Sequence, residues 1–281
     1  MESGAEAVGL LRTEFLFLER KVPPTEDEQF EVYRDIAKAM QGRPTIVRTL
    51  DVGGDKPLPY IEMPPEENPF LGVRGIRLCL RQKDLLRQQI RAILRAVEYG
   101  SLRIMFPMVS DVSEWRAARQ LVEEARQELD APQVEMGIMI EIPSAALMAD
   151  VFAPEVDFFS VGTNDLTQYS LAMDRMHPIL AGQSDGLHPA VLRLIQKTVE
   201  AAHQHGKWVG VCGELGADPQ AVPVLVGLGV DELSVTVPAI PTVKAQVRTL
   251  SHEETQALAR KALACATASD VRALVEKTVN K

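Results

Sequence analysis

Strand-like and helix-like segments alternate along almost the whole chain. Seven short runs of mainly apolar residues are nearly all followed by a segment with the apolar period of a helix. This alternation is typical of parallel βαβ units, in which a helix crosses over between neighbouring strands. The predicted strands are residues 8–14, 45–51, 103–108, 136–141, 157–163, 208–212 and 232–236.

A closed β/α barrel has eight such strands and typically about 250 residues. Because the chain begins almost on a strand, we expect the first βα unit to lie outside this sequence. An open doubly wound sheet is the alternative, but Gly53-Gly54 lacks the spacing of a dinucleotide-binding fingerprint. We therefore predict an α/β fold of the (β/α)8 TIM-barrel type without its first strand unit, with residues 1–281 as one domain.

Composition excludes several classes of function. The formal net charge of −9 argues against non-specific nucleic-acid binding. No run approaches the roughly 20 apolar residues of a membrane helix, and the N-terminus lacks a signal-peptide pattern. The three cysteines are an odd number without metal-ligand spacing, which indicates a reduced, cytoplasmic setting.

Two arginines stand at the ends of predicted strands. Arg12 follows the first apolar run and Arg48 the second. In a β/α barrel the carboxyl ends of the strands meet at one face, so these side chains are expected to converge there. A guanidinium is a planar, bidentate donor suited to phosphate or carboxylate. The alternative is that each arginine only pairs with a nearby acid such as Glu14 or Asp51.

Carboxylates and an amide end two further strands. Glu141 ends the fourth, and the fifth turns at Gly162 into the polar pair Asn164 and Asp165. Mg²⁺ prefers one or two carboxylates together with waters and ligand oxygens, so Glu141 and Asp165 are candidate Mg²⁺ ligands. The alternatives are a structural ion pair for Glu141 and helix capping for Asn164 or Asp165.

Cys212 ends the sixth strand, within a glycine-containing segment that lets a ligand come close. A thiol there could donate a proton or act as a nucleophile, although a cysteine with apolar neighbours is more often part of the core. Arg175 follows Asp165 by ten residues and precedes an irregular segment, residues 178–186. It could reach back over the site as a lid residue.

The long proline-rich loop at residues 57–72 is flanked by two weaker candidates, Lys56 and Arg74. Cations beside such a loop are often simply solvated, although long loops in compact domains are often functional. His177 and His188 lie in or beside the irregular segment. Each reads as a surface histidine or a helix cap, and we assign them no role.

Six segments, taken together and in order, resemble enzyme I of the bacterial phosphoenolpyruvate:sugar phosphotransferase system. They are most similar to its C-terminal barrel, which binds phosphoenolpyruvate (PEP). The segments are Val8–Phe15, Ile46–Lys56, Glu67–Gly72, Arg103–Met108, Gly162–Tyr169 and Cys212–Glu214.

The resemblance implies roles for seven positions of this sequence. The residues that would bind the phosphate and carboxylate of PEP are Arg12, Arg48, Asn164, Asp165 and Arg175. The implied Mg²⁺ ligands are Glu141 and Asp165. Cys212 would protonate the methylene carbon of enolpyruvate, which releases pyruvate.

The resemblance also implies partners. Enzyme I passes the phosphoryl group to a histidine on a separate N-terminal domain and through it to HPr, and its barrel carries the homodimer interface. None of the five histidines here stands in a Gly- and Ser/Thr-rich motif of that kind. We therefore expect a fragment of enzyme I, or of a longer multi-phosphoryl-transfer protein, without its N-terminal domains. The alternatives are a PEP-sensing module that signals by dimerising, and the barrel of a pyruvate phosphate dikinase or PEP synthase type of enzyme.

Overall fold

All seven predicted strands are present in the computed structural model, which describes residues 3–53 and 58–279. Each strand ends earlier than the sequence predicts, because the last residues of each predicted strand leave the sheet and enter a loop or helix. The strands are β1 (Val8–Leu11), β2 (Thr45–Arg48), β3 (Leu102–Phe106), β4 (Met136–Ile140), β5 (Phe158–Val161), β6 (Trp208–Val211) and β7 (Glu232–Leu233).

The strands lie side by side in chain order, from β1 to β7, within the described residues. The recorded pairs are parallel; in one of them Thr45 of β2 faces Leu102 of β3. Consecutive parallel order is the topology of a β/α barrel. It excludes the open doubly wound sheet, whose strand order reverses at a switch point. The predicted fold class is therefore confirmed.

Helices follow most of the strands. In the described chain they are α1 (Glu26–Ala39), α2 (Ile76–Arg81), α3 (Lys83–Ala96), α4 (Val112–Leu129), α5 (Pro143–Leu147), α6 (Ala149–Phe152), α7 (Thr163–Leu171), α8 (Pro189–Gln204), α9 (Val222–Leu228), α10 (Ile240–Thr249), α11 (His252–Leu263) and α12 (Ala268–Val279). No helix among the described residues is long and apolar enough to cross a membrane.

The chain forms two compact units, which are described separately below. One comprises residues 6–139, and the other comprises residues 140–279 with the short segment 3–5. In the first unit α3 packs against α1 and α4, and its Ile90 and Ile93 are fully buried. The spacing of Thr25 and Glu28 in the sequence predicts a capping box at the start of α1, and the structure confirms it: the Thr25 hydroxyl accepts from Glu28 N–H, and the Glu28 carboxylate accepts from Thr25 N–H.

The position of Asp84 before an apolar helical face predicts that it caps α3, but the start of this helix is different. The short helix α2, which the sequence analysis did not predict, ends just before Gln82, and α3 begins at Lys83. Gln82 (φ −107°, ψ 59°) breaks the helix between the two, so Asp84 already lies inside the first turn of α3. Its carboxylate there still favours the positive end of the helix dipole.

The second unit contains β5 to β7 and the last eight helices. The ring of Phe158 on β5 stacks on that of Trp208 on β6, with centroids 4.8 Å apart. The sequence pattern predicts one helix at residues 144–152, but the structure has two pieces, α5 and α6, separated at Met148. α11 packs closely on α9, where a side chain at Gly227 would overlap the carbonyl of Thr255.

Candidate functional site

Arg48, the last residue of β2, is buried and ion-paired within the first unit. Its Nη2 lies 2.8 Å from Glu14 Oε1, and its Nη1 lies 2.9 Å from Asp51 Oδ2. Nη1 also lies 3.8 Å from Met139 Sδ. The pairing that the sequence analysis left open as an alternative is therefore present. Two carboxylates fix the plane of this guanidinium.

Arg74 extends the cluster from the end of the proline-rich loop. Its Nε lies 3.0 Å from Asp51 Oδ1 and its Nη2 lies 3.1 Å from Asp51 Oδ2, a bidentate pair. The backbone N–H of Asp51 donates to Glu14 Oε1 at 3.1 Å. Glu14, Arg48, Asp51 and Arg74 are all buried and alternate in sign, so their formal charges cancel. The expectation that Arg74 is simply solvated is wrong, because nothing local in the sequence shows that the loop returns it to Asp51.

A buried polar pair supports this charged cluster. The Thr13 hydroxyl donates to the Arg48 carbonyl at 2.9 Å and accepts from Gln89 Nε2 at 3.1 Å. Gln89 Oε1 accepts from the Leu50 N–H at 2.8 Å. Gln89 thus ties α3 to the segments that follow β1 and β2. The sequence analysis missed it, although a glutamine on the apolar face of an amphipathic helix is the kind of signal that could have revealed it.

Arg12 differs from Arg48, since it is exposed one residue after β1. Its guanidinium makes no ion pair with any described residue, so no carboxylate of the described chain competes for it. Lys56 lies outside the described residues.

Glu141 follows β4 in the second unit and is almost fully buried. The N–H of Gly162 donates to the Ile140 carbonyl at 3.1 Å, which brings the end of β5 beside Glu141. A Cβ on Gly162 would lie 2.7 Å from Glu141 Cγ and 3.0 Å from its Oε1. Only glycine leaves space here for the carboxylate.

Asn164 and Asp165 lie in the first turn of α7 and neither caps it, because the N-cap position is Gly162. The capping alternative is therefore excluded. Asn164 Oδ1 instead accepts the N–H of Glu214 at 3.0 Å, a bond between the segments that follow β5 and β6. Asp165 is buried, at 6% exposure.

Cys212 follows β6 and is held to β5. Its N–H donates to the Val161 carbonyl at 3.0 Å, and its Sγ lies 3.6 Å from the same oxygen. The thiol is free of any disulfide, and the residue is 9% exposed. At the next position a Cβ on Gly213 would overlap the Thr163 hydroxyl, so the β6 loop lies directly on the start of α7.

Arg175 reaches back to α7, as the sequence analysis anticipated. Its Nη1 lies 3.6 Å from Asp165 Oδ2, and its backbone N–H donates to Gln168 Oε1 at 3.0 Å. Gln168 was not predicted as a site residue. His188 caps α8 by accepting the Ala190 N–H, and His177 is an exposed histidine that accepts the Ile179 N–H, so each matches one of the two readings of the sequence.

Glu141 and Asp165 have the donor chemistry that Mg²⁺ prefers. The described residues contain no group of three or more His, Cys, Asp or Glu that could hold a metal ion. Two carboxylates nevertheless fit Mg²⁺, which takes its remaining ligands from water and substrate oxygens. The gap left by Gly162 allows the Glu141 carboxylate to lie against the start of α7.

The family described as "PEP-utilising enzyme, PEP-binding domain" matches residues 1–252. The chain belongs to this family. The resemblance on which the sequence analysis relied is therefore confirmed for nine-tenths of this PEP-binding domain.

Proteins with two phosphotransfer-related names are similar in sequence to almost the whole chain. A protein named multiphosphoryl transfer protein from Rhodobacter capsulatus is 60% identical over 274 residues, which is 98% of this chain and 33% of that protein. Proteins named phosphoenolpyruvate-protein phosphotransferase are 50% identical in Staphylococcus carnosus and 48% in Bacillus subtilis strain 168, each over 99% of this chain and about half of the relative. The PEP-binding domain thus spans a third to a half of the length of these relatives.

Solved structures share the fold of this PEP-binding domain. A citrate lyase from Burkholderia xenovorans superimposes with a TM-score of 0.54 at 19% identity, covering 91% of this chain and 79% of that one. A malate synthase from Haloferax volcanii, in complex with magnesium and glyoxylate, gives a TM-score of 0.56 at 15% identity, covering 82% of this chain and 64% of that one. At such identities the likeness extends to the fold alone.

Proposed function

We propose that this domain binds PEP and is the donor half of a phosphoenolpyruvate-protein phosphotransferase. The observation that carries the proposal is the hydrogen bond from Glu214 N–H to Asn164 Oδ1, at 3.0 Å. It ties the loop that bears the Cys212 thiol to the helix start that bears Asp165. A proton donor beside oxygen ligands is what the breakdown of an enolate requires.

Guanidinium groups bind the anionic ends of PEP in this proposal. Arg12 is exposed, and Arg48 has its orientation fixed by two carboxylates. Arg175 lies beside Asp165. Because Arg48 and Arg74 are already neutralised, Arg12 supplies the positive charge that an added phosphate requires. Donors with fixed orientation stabilise developing charge without reorganising during the reaction.

Glu141 and Asp165 would hold Mg²⁺, with Asp165 and Asn164 also contacting the substrate. When bound, the metal ion would supply Lewis-acid stabilisation of negative charge on the enolate oxygen. The buried position of both carboxylates keeps competing water away from them and strengthens their interaction with a cation.

Phosphoryl transfer breaks the bond between phosphorus and the enol oxygen of PEP and forms a bond between phosphorus and a histidine nitrogen. The electron pair stays on the enolate. Cys212 Sγ then gives its proton to the methylene carbon, which yields pyruvate, and the thiolate recovers a proton from water. The accepting histidine belongs to a separate N-terminal domain that passes the phosphoryl group on to HPr.

A cytoplasmic homodimer is the setting we propose for this reaction. Support for the cytoplasm comes from the three cysteines, none of which is in a disulfide, as expected in a reducing compartment. Support for additional domains comes from the relatives, which are two to three times as long as the segment that matches this chain. The dimer rests on the resemblance to enzyme I.

Calorimetric titration of PEP into this chain, with and without Mg²⁺, tests the proposal. We expect binding that strengthens with Mg²⁺, and we expect Glu141→Gln to remove that dependence. Glu253→Gln, on the exposed first turn of α11, is the matched control and is expected to bind as the unmodified chain does. A folded chain that does not bind PEP would contradict the proposed function. Binding that ignores Mg²⁺ would contradict only its metal component.

The PEP-sensing alternative is separated from catalysis by pyruvate release. A sensor binds PEP without consuming it, whereas a donor domain mixed with an isolated phosphohistidine domain of the family releases one pyruvate for each histidine phosphorylated. The Cys212 thiol, which is in no disulfide, favours the donor domain, because a sensor has no need for a proton donor.

A further inference from the structure

The guanidinium of Arg272, on α12, joins two loops of the second unit. Its Nε and Nη2 donate to the two carboxylate oxygens of Asp185 at 2.6 and 2.8 Å. Nη2 also donates to Asp218 at 2.9 Å, and Nη1 donates to Gln220 Oε1 at 2.8 Å. All three nitrogens are used, in a forked arrangement that lysine cannot reproduce.

Both loops lead to the candidate site. Asp185 begins the turn that contains Gly186, at the end of the irregular segment after α7. A Cβ on Gly186 would lie 3.0 Å from Leu215 Cδ1 and 3.5 Å from Thr167 Oγ1. Leu215 is three residues after Cys212, and Thr167 lies in α7. The turn is therefore packed between the helix that carries Asp165 and the loop that carries the thiol.

Electrostatics make this arrangement depend on the arginine. Asp185 and Asp218 both accept from the same nitrogen, so their carboxylates are close enough to repel strongly without a cation between them. Burial pushes the pKa of Asp185 upward, but hydrogen bonds from Arg272 and from the Leu187 N–H outweigh it and the pKa is lowered. The same carboxylates raise the pKa of Arg272.

α12 is packed against the rest of the second unit, because Val271 and Val275 on either side of Arg272 are buried. The position of the Arg272 backbone is therefore fixed. The helix lies beyond residue 252, where the family match ends. We propose that Arg272 is a positioning residue, which joins the loops after α7 and β6 and thereby fixes Cys212 relative to the start of α7. The expected effect on PEP binding rests on the proposed function, but the effect on Cys212 does not.

Alkylation of the cysteines by iodoacetamide, followed peptide by peptide with mass spectrometry, tests this without substrate. We expect Arg272→Gln to raise the alkylation rate of Cys212 about tenfold, the size of one lost charged hydrogen bond. Cys79 is the internal reference: it is fully buried and burial raises its pKa to about 12, so it is expected to stay unreacted. Arg193→Gln is the matched control, because Arg193 donates to the Leu263 carbonyl and to neither loop.

Arg272→Lys is expected to give an intermediate alkylation rate at Cys212, since lysine keeps the positive charge but loses the forked hydrogen bonds of the guanidinium. PEP affinity is expected to fall about tenfold in Arg272→Gln and to be unchanged in Arg193→Gln. An unchanged Cys212 rate would overturn the proposal, as would a parallel rise at Cys79, which signals general unfolding. If Arg272→Gln does not fold, Asp218→Asn carries the same test, with a smaller rise at Cys212 expected. If the unmodified chain does not bind PEP, the proposed function fails and the Cys212 rates still decide the role of Arg272.

Discussion

Gly213 and Thr163 approach so closely that no side chain fits between them. A Cβ on Gly213 would overlap the Thr163 hydroxyl and would lie 2.8 Å from the Thr163 nitrogen and 3.0 Å from Asn164 Oδ1. The φ of Gly213 is −96°, a value open to any residue, so the constraint is purely one of space.

Gly213→Ala is therefore expected to displace the loop that carries Cys212. Since the backbone nitrogen of Thr163 cannot move without shifting α7, we expect the Asn164–Glu214 hydrogen bond to break and PEP affinity to fall about tenfold. Gly216→Ala is the matched control, because its Cβ would meet only ordinary contacts, the nearest at 3.5 Å. Calorimetric titration of PEP into both variants measures the two affinities. Equal PEP affinities for Gly213→Ala and Gly216→Ala would show that the loop adapts.

Arg48→Ala and Arg12→Ala are expected to separate stability from binding. Removing Arg48 leaves Glu14 and Asp51 buried beside each other, so we expect a loss of about 3–5 kcal/mol in the free energy of unfolding. Removing the exposed Arg12 leaves stability unchanged and weakens PEP binding about tenfold. Urea denaturation and PEP titration of both variants distinguish these outcomes. Arg34→Ala, at an exposed ion pair on α1, is the control for both.

Cys212→Ala is expected to leave PEP affinity within about twofold while blocking pyruvate release, because alanine keeps the backbone hydrogen bond to the Val161 carbonyl and removes only the proton donor. The assay is pyruvate production in the presence of the family's phosphohistidine domain. Cys265→Ala, on the partly exposed turn after α11, is the control. Loss of binding and of release together would make the thiol structural.

Low pH is expected to reduce the free energy of unfolding of the second unit, because Asp185 becomes protonated. The folded pKa of this carboxyl lies below its ordinary value of 3.8, so its stabilising contribution is complete above that value and is lost as the pH falls through the lower folded pKa. We therefore expect Asp185→Asn to reduce the free energy of unfolding at neutral pH and to flatten its decline below about pH 4. Denaturation curves between pH 3 and 7 check this; parallel curves for the variant and the unmodified chain would contradict it.

The sequence predicted the elements of this fold better than the contacts between them. Apolar runs marked all seven strands because burial demands them, and the capping box of α1 is a local pattern. The fork of Arg272 and the bridging role of Gln89 depend on partners up to 87 and 76 residues away, respectively, which no local pattern records. The break at Gln82 depends on a backbone conformation that its own residue type does not demand.

The candidate site residues could be named from the sequence for a related reason. A strand that ends in a charged or amide side chain is visible in one sequence, so Arg48, Glu141 and Asp165 could be named in advance. The sequence alone left open whether two acids neutralise Arg48, because the answer depends on where Glu14, in the segment after β1, lies in space.

The position of α12 matters for anyone who trims this domain. A version cut after residue 252 would keep every residue assigned to PEP, Mg²⁺ or proton transfer, and its sequence would still match the family in full. It would nevertheless lose Arg272 and leave Asp185 and Asp218 facing each other without a cation. A protein trimmed to the family match alone would therefore keep the assigned residues but lose the contact that joins the loops after α7 and β6.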